Sequence, residues 1–162
     1  AIIGVPTHQA YVFVCGDLNY RLDLTPEQAL NTIPRAADDP NQHTAWLRLL
    51  AHDQLYREMR RGASFFKFQE APIMFPPTYR RKKDPSQALR RSAGDYTSLD
   101  KKDSKKQART PSYTDRILLR EPVRFEGHAP LPAVLWEAYD QCDEVTGSDH
   151  TPVMATFTVP LG

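Results

Sequence analysis

Tyr11-Val12-Phe13-Val14-Cys15 is an unbroken apolar run, and Gly16-Asp17-Leu18-Asn19 follows it directly. Consecutive apolar residues rich in β-branched and aromatic types predict a strand buried on both faces, as in a central sheet. Asp17 and Asn19 are two apart, so an extended chain projects them to one side just past that strand. Strand exits are where α/β sheets place functional groups. A second such junction lies near the other end, where Ser148-Asp149-His150 runs into Pro152-Val153-Met154-Ala155. A base, an amide, a metal or orienting carboxylate and an imidazole are a set suited to metal-assisted phosphoester hydrolysis. Each half alone has a plainer reading. Gly-Asp-Leu-Asn is also a turn whose side chains bond their own backbone, and a lone histidine more often makes a structural hydrogen bond.

The remaining pattern is α/β, with helices early and strands late. Thr25-Pro26-Glu27-Gln28 is a capping box with proline at the first helical position, predicting a helix from Pro26 to Ile33 that Pro34 ends. Residues 35–42 read as a loop. Trp46, Leu49, Leu50, Leu55, Tyr56 and Met59 recur at helical spacing, closed by Arg60-Arg61-Gly62. Asp53 can cap a second segment there, splitting the run into two helices. An extended stretch from Phe65 to Phe75 follows, ended by Pro76-Pro77. Ile117–Leu119, Ala133–Tyr139 and Val153–Val159 read as strands, the last with period-two alternation.

At 162 residues, 40% apolar and 25% charged, the chain fits one globular domain with a real core. The longest apolar runs fall far short of the ~20 residues that cross a bilayer, and no cationic n-region with an apolar h-region stands at the start, so nothing points to secretion. Cys15 and Cys142 are too sparse for a disulfide framework or zinc site. They read as a buried small hydrophobe and an incidental thiol, suiting a reducing compartment. The net charge of +1 hides an asymmetry: residues 80–109 hold eleven Lys/Arg against four Asp/Glu, and the rest holds ten against sixteen. A basic segment on an acidic body suits a polyanion partner, although each lysine by itself reads as solvated surface. Residues 84–108, rich in Pro, Ser, Gly, Asp and Lys, read as a long basic surface loop.

Two further segments carry chemistry. In Phe75-Pro76-Pro77-Thr78-Tyr79-Arg80-Arg81-Lys82-Lys83, proline stiffens a strand exit and one aromatic and four cations follow. Arginine forks match phosphate bidentately, and lysine supplies a point charge. In Pro111-Ser112-Tyr113-Thr114-Asp115-Arg116, the last two residues are either a surface pair of negligible energy or a site carboxylate beside a phosphate-binding guanidinium.

In this order the four segments resemble the inositol polyphosphate 5-phosphatases, within the DNase I-like nucleases and phosphatases. The family's runs read approximately GDLNYR-(I/L), FPPTY-(K/R), P-x-W-x-DR-I-L and SDH-x-PV. Here they stand at Gly16–Leu22, Phe75–Arg80, Pro111–Leu118 and Ser148–Val153. Asp53-Gln54-Leu55 and Phe68–Ile73 look similar too. The resemblance implies a DNase I-like four-layer α/β sandwich, mostly antiparallel sheet flanked by helices, of which residues 1–162 are the C-terminal half. It implies Mg²⁺-dependent hydrolysis of the 5-phosphate of inositol polyphosphates or phosphoinositides. Asp17 would position or deprotonate the attacking water, with Asn19 beside it on phosphate oxygen. His150 would stabilise charge on the scissile phosphate, with Asp149 near the Mg²⁺. Asp115 would belong to the same polar floor, and Tyr79, Arg80 and Arg116 would hold the other ring phosphates or order that pocket. A cytoplasmic location, peripheral at anionic membranes, follows from the same likeness and gives the basic segment a use.

Thr151, Tyr113, Thr114 and Arg80 depart from the family's usual residues without removing a reacting group. The family's upstream Asn, metal-binding Glu and further His all precede the GDLNYR run and are expected outside this chain. Half a sandwich is expected to expose an apolar face and unpaired strand edges, to need its N-terminal half, and to turn over little substrate alone. The competing reading is a non-catalytic module that binds phosphoinositide head groups. A nuclease is disfavoured because FPPTY-Arg suits clustered ring phosphates, so no nucleic-acid partner is expected.

Overall fold

The computed structural model describes residues 10–35, 39–82, 95–96, 109–122 and 133–160. Most of the predicted basic loop at 84–108 therefore lies outside the described residues. Among the described residues, four strands and three helices occur in the order β1 (Val12–Asp17), α1 (Pro26–Thr32), α2 (Gln42–Leu50), α3 (Gln54–Arg60), β2 (Asp115–Arg120), β3 (Leu135–Gln141) and β4 (Val153–Thr158).

The helices begin and end where their local chemistry dictates. Thr25 Oγ1 accepts from the Gln28 N–H at 3.2 Å, and Gln28 Oε1 accepts from the Thr25 N–H at 2.9 Å, completing the capping box. Asp53 caps α3, its Oδ1 accepting from the Tyr56 N–H at 2.9 Å, so the long apolar-periodic run is indeed two helices. At the far end of α3, Gly62 takes φ +67°, a conformation that costs glycine little. Its N–H donates to Met59 O and that of Ala63 to Glu58 O, both at 3.0 Å, the paired bonds of a Schellman motif. No helix among the described residues is long and apolar enough to cross a membrane.

Two antiparallel pairs carry the strands, β1 with β2 and β3 with β4. The first runs in register from Val12 opposite Arg120 to Asp17 opposite Asp115. In the second, Leu135 faces Thr158 and Gln141 faces Val153, with a bulge between Trp136 and Ala138. The core gathers Trp46, Leu49 and Leu50 of α2, Ala29 and Ile33 beside α1, and Leu22, Ile73, Phe75, Tyr96 and Tyr113 from the connecting segments.

Two expectations are corrected. β1 is not buried on both faces, because β2 is its only described strand neighbour: Phe13 is 44% exposed and Cys15 lies at the surface. The extended stretch begins near Gln69, which bridges to Leu119, and not at Phe65. Phe65 (φ +50°) and Lys67 (φ +62°) both lie in the left-handed region, which turns the chain instead of extending it.

Candidate active site

β1 ends at the first of the candidate residues. Gly16 takes φ +133°, open to glycine but strained for any side chain, and lets the strand twist into Asp17. The chain then turns. Asn19 takes φ +58°, and its N–H donates to Asp17 Oδ1 at 2.9 Å. Asp17 therefore bonds the Asn19 backbone through a turn, and the two residues do not project together from an extended strand. Asn19 Oδ1 accepts from Arg21 Nη2, and the Leu18 N–H donates to Thr114 O at 2.7 Å. Asp17, exposed, keeps its other carboxylate oxygen clear of hydrogen bonds from described residues.

Backbone pairing assembles the other three segments beside it. Asp17 stands opposite Asp115. Tyr79 bridges to Ser112 on one side and to His150 on the other. The Arg81 N–H donates to Asp149 O at 2.8 Å and that of Thr151 to Thr78 O at 2.9 Å. Residues 78–81 thus form a seam between Pro111–Asp115 and Ser148–Thr151.

Side chains complete the geometry. His150 Nδ1 lies 3.0 Å from Asp115 Oδ2. The same oxygen accepts from Thr78 Oγ1 at 2.7 Å and from Thr114 Oγ1 at 2.9 Å. Both threonines are fully buried, so Asp115 is held from two sides. With Asp115 ionised, Nδ1 is the donor, and Nε2 is left as the nitrogen that meets a ligand. The His150 N–H donates to Ser148 Oγ at 3.0 Å, and the ring lies 4.6 Å from that of Tyr79. Asp115 therefore stands behind His150 and orients it. Arg80 Nε lies 3.5 Å from Asp149 Oδ2, both side chains about one-third exposed.

Arg116 does not join this group. Its side chain is fully enclosed on the other face of β2, where Nε and Nη2 donate to Glu70 at 2.8 and 2.6 Å. Nη1 donates to both Asp53 oxygens at 3.0 Å. With no exposed surface it orders the domain and cannot contact a phosphate.

Sequence reasoning assigned no role to two cations that the structure brings to Tyr79. The Arg21 guanidinium lies 4.5 Å over the Tyr79 ring, and Arg109 Nη1 donates to the Tyr79 hydroxyl at 2.8 Å. Together with Leu22 and Thr110 they line a small cavity of about 260 Å³. Arg21 lies inside the Gly16–Leu22 run and Arg109 at the end of the basic segment, so their positions were visible but their convergence was not. A larger cavity of about 960 Å³ lies between α2, α3 and residues 70–73, and none of Asp17, Asn19, Tyr79, Arg80, Asp149 or His150 lines it.

No three His, Cys, Asp or Glu side chains among the described residues are grouped to hold a metal ion. Mg²⁺ keeps several waters and is often held by only one or two carboxylates plus substrate phosphate, so Asp149 suits one position in such a site without completing it.

Residues 3–156 match Endonuclease/Exonuclease/phosphatase family 2. Phosphatidylinositol 3,4,5-trisphosphate 5-phosphatase 1 of Xenopus laevis is 37% identical over 92% of this chain, which spans 13% of that protein. Phosphatidylinositol 3,4,5-trisphosphate 5-phosphatase 2B of Danio rerio is 36% identical over 92% of this chain and 10% of its own length. The solved inositol polyphosphate 5-phosphatase domain of SPsynaptojanin, in complex with inositol (1,4)-bisphosphate and calcium ion, superposes with TM-score 0.61 and 31% identity. That match covers 91% of this chain and 34% of the solved one. The Cimex nitrophorin ferrous NO complex also superposes, with TM-score 0.63 and 26% identity over 93% of this chain and 42% of its own. A shared fold does not by itself decide chemistry. The chain belongs to Endonuclease/Exonuclease/phosphatase family 2, with its likeness to the inositol polyphosphate 5-phosphatases of that family.

Proposed function

We propose that this chain is the C-terminal half of a catalytic domain that removes the 5-phosphate from inositol polyphosphates or phosphoinositides with Mg²⁺. The observation that carries the reading is the Asp115–His150 pair, 3.0 Å apart, beside an aromatic ringed by guanidiniums. Asp115 stabilises an imidazolium at His150, whose Nε2–H then donates to the scissile phosphate. Asp17 positions or deprotonates the attacking water, and Asn19 supports it. Arg80, with Arg21 and Arg109 around Tyr79, supplies cationic donors for the remaining ring phosphates. Asp149 would be among the ligands of a bound Mg²⁺, which would supply charge neutralisation at the phosphate.

The need for an N-terminal half has its own support. Phe13, Leu135 and Met154 are 44%, 59% and 52% exposed on the strands, large apolar side chains that suit cover by further layers of the same domain. The basic balance of residues 80–109 suits an anionic membrane and a cytoplasmic, peripheral location.

The test is phosphate release from a 5-phosphorylated inositol lipid by the intact domain with Mg²⁺, beside Asp17→Ala. The reading expects turnover that falls by about 10²-fold or more in the variant and disappears on chelation. A folded intact domain that binds the head group without releasing phosphate would make it a binding module instead. Equal turnover in Asp17→Ala would remove the role given to Asp17. Residues 1–162 alone are expected to release little or no phosphate.

A further inference from the structure

Four cations run together at Arg80-Arg81-Lys82-Lys83, and the Arg81 side chain has no part in the site described above. Where Arg80 reaches Asp149, Arg81 turns inward and is 1% exposed. A guanidinium has five donors and keeps its charge, so enclosing one is costly unless its surroundings hold it closely. Its Cζ lies 4.5 Å over the Tyr96 ring, and Nη2 donates to Gln141 Oε1 at 2.9 Å. Gln141 Nε2 donates in turn to Asp143 Oδ1. Tyr96 is itself seated, its hydroxyl donating to Pro77 O at 2.7 Å and its neighbour Asp95 O accepting from the Lys82 N–H at 2.7 Å. It is the one aromatic residue between positions 84 and 108, and it is buried in the core.

The position of this stack matters more than its strength. Gln141 ends β3, and the loop that leaves it returns through Ser148-Asp149-His150 into β4. The Cys142 N–H donates to Pro152 O at 2.7 Å, closing the loop's base. Arg81 grips both ends of it, its backbone N–H on Asp149 O at 2.8 Å and its side chain on Gln141. We propose that Arg81 is a positioning residue. Clamped between Tyr96 and Gln141, its enclosed guanidinium fixes loop 142–150 so that Asp149 and His150 keep their places in the active site. It touches neither substrate nor metal. The kinetic part of its test rests on the phosphatase reading above; the loop's order is measured without it.

The experiment compares amide hydrogen exchange and steady-state kinetics on a soluble inositol polyphosphate for the intact domain and its Arg81→Met, Arg81→Lys and Gln141→Leu variants. All are measured well below their unfolding temperatures. Arg81→Met should speed exchange across 142–150 by about tenfold or more, with α2 and β2 exchanging as in the wild type. kcat should fall about tenfold to hundredfold while KM stays within about twofold, since a displacement of ~1 Å is enough for such a loss. Arg81→Lys keeps the charge over Tyr96 but not the fork, and Gln141→Leu removes the far partner, so both should move in the same direction. Unchanged exchange across 142–150 in a folded variant would overturn the proposal. So would a raised KM at unchanged kcat, which would make Arg81 a binding cation. Should Arg81→Met not fold, Gln141→Leu decides. Should the wild-type domain release no phosphate, the proposed activity fails, and exchange alone decides the role of Arg81.

Discussion

Replacing Arg116 by methionine distinguishes a structural cation from a substrate-binding one. The arginine is fully enclosed, and its fork donates to Glu70 at 2.6 and 2.8 Å, to Asp53 at 3.0 Å and to Tyr113 O at 3.2 Å. Burial alone draws a guanidinium's pKa down, but the Glu70 hydrogen bond and the charges of Glu70 and Asp53 more than reverse this and hold it above the ordinary value. Methionine fills much of the volume and removes the charge, leaving two buried carboxylates without a cation. Asp53 keeps the Tyr56 N–H at 2.9 Å and Glu70 the Tyr139 hydroxyl at 2.8 Å, so each is partly satisfied. Breaking a buried pair on one side costs about 3–5 kcal/mol. For a domain of this size or larger that lowers Tm by about 6–20 °C. The assay is thermal and urea unfolding of the intact domain. Adding Glu70→Gln to Arg116→Met should recover part of the loss, because it removes one uncompensated charge. A folded Arg116→Met domain with unchanged Tm and a raised KM would refute the reasoning, since that is how a phosphate-binding guanidinium behaves.

Asp115→Asn in the intact domain should lower kcat by about 10²- to 10⁴-fold, because an amide cannot stabilise the His150 imidazolium or fix its tautomer. Circular dichroism should stay unchanged, and wild-type kcat in this variant would sink the pairing's role. Tyr113 is fully buried on Phe75, and its hydroxyl meets no partner among the described residues. Burial pushes that hydroxyl's pKa well above the ordinary value of 10.0. Tyr113→Phe should therefore leave the domain's unfolding free energy unchanged or raise it by about 1 kcal/mol in urea titrations. A loss of about 2 kcal/mol or more would mean that the hydroxyl is satisfied after all.

What was legible in the sequence was local. Thr25, Asp53 and Gly62 act within four residues of themselves, and the helix boundaries they set fell where the residues demanded. The burial of β1 depends on what lies across from it, and five apolar letters carry no record of that. The fate of Arg116 was closer to hand. Once residues 115–120 are a strand, successive side chains alternate faces, so Asp115 and Arg116 cannot both look into one pocket. Asp115 takes the face that His150 occupies, and Arg116 must take the other. Arg81 turns inward beside the outward Arg80, which the charge run conceals.

The cations that remain at the site are held without being spent. Arg80 leans on Asp149 at 3.5 Å with both side chains about one-third exposed, an ion pair worth about 0–1 kcal/mol. Arg21 stacks on Tyr79 and donates to Asn19, and Arg109 donates to the Tyr79 hydroxyl. Under the proposed reading, a phosphate dianion outmatches such contacts of Arg21 and Arg109, since charge-assisted bonds are roughly twice as strong as neutral ones. Arg81 and Arg116, both enclosed, are the fixed frame around these cations.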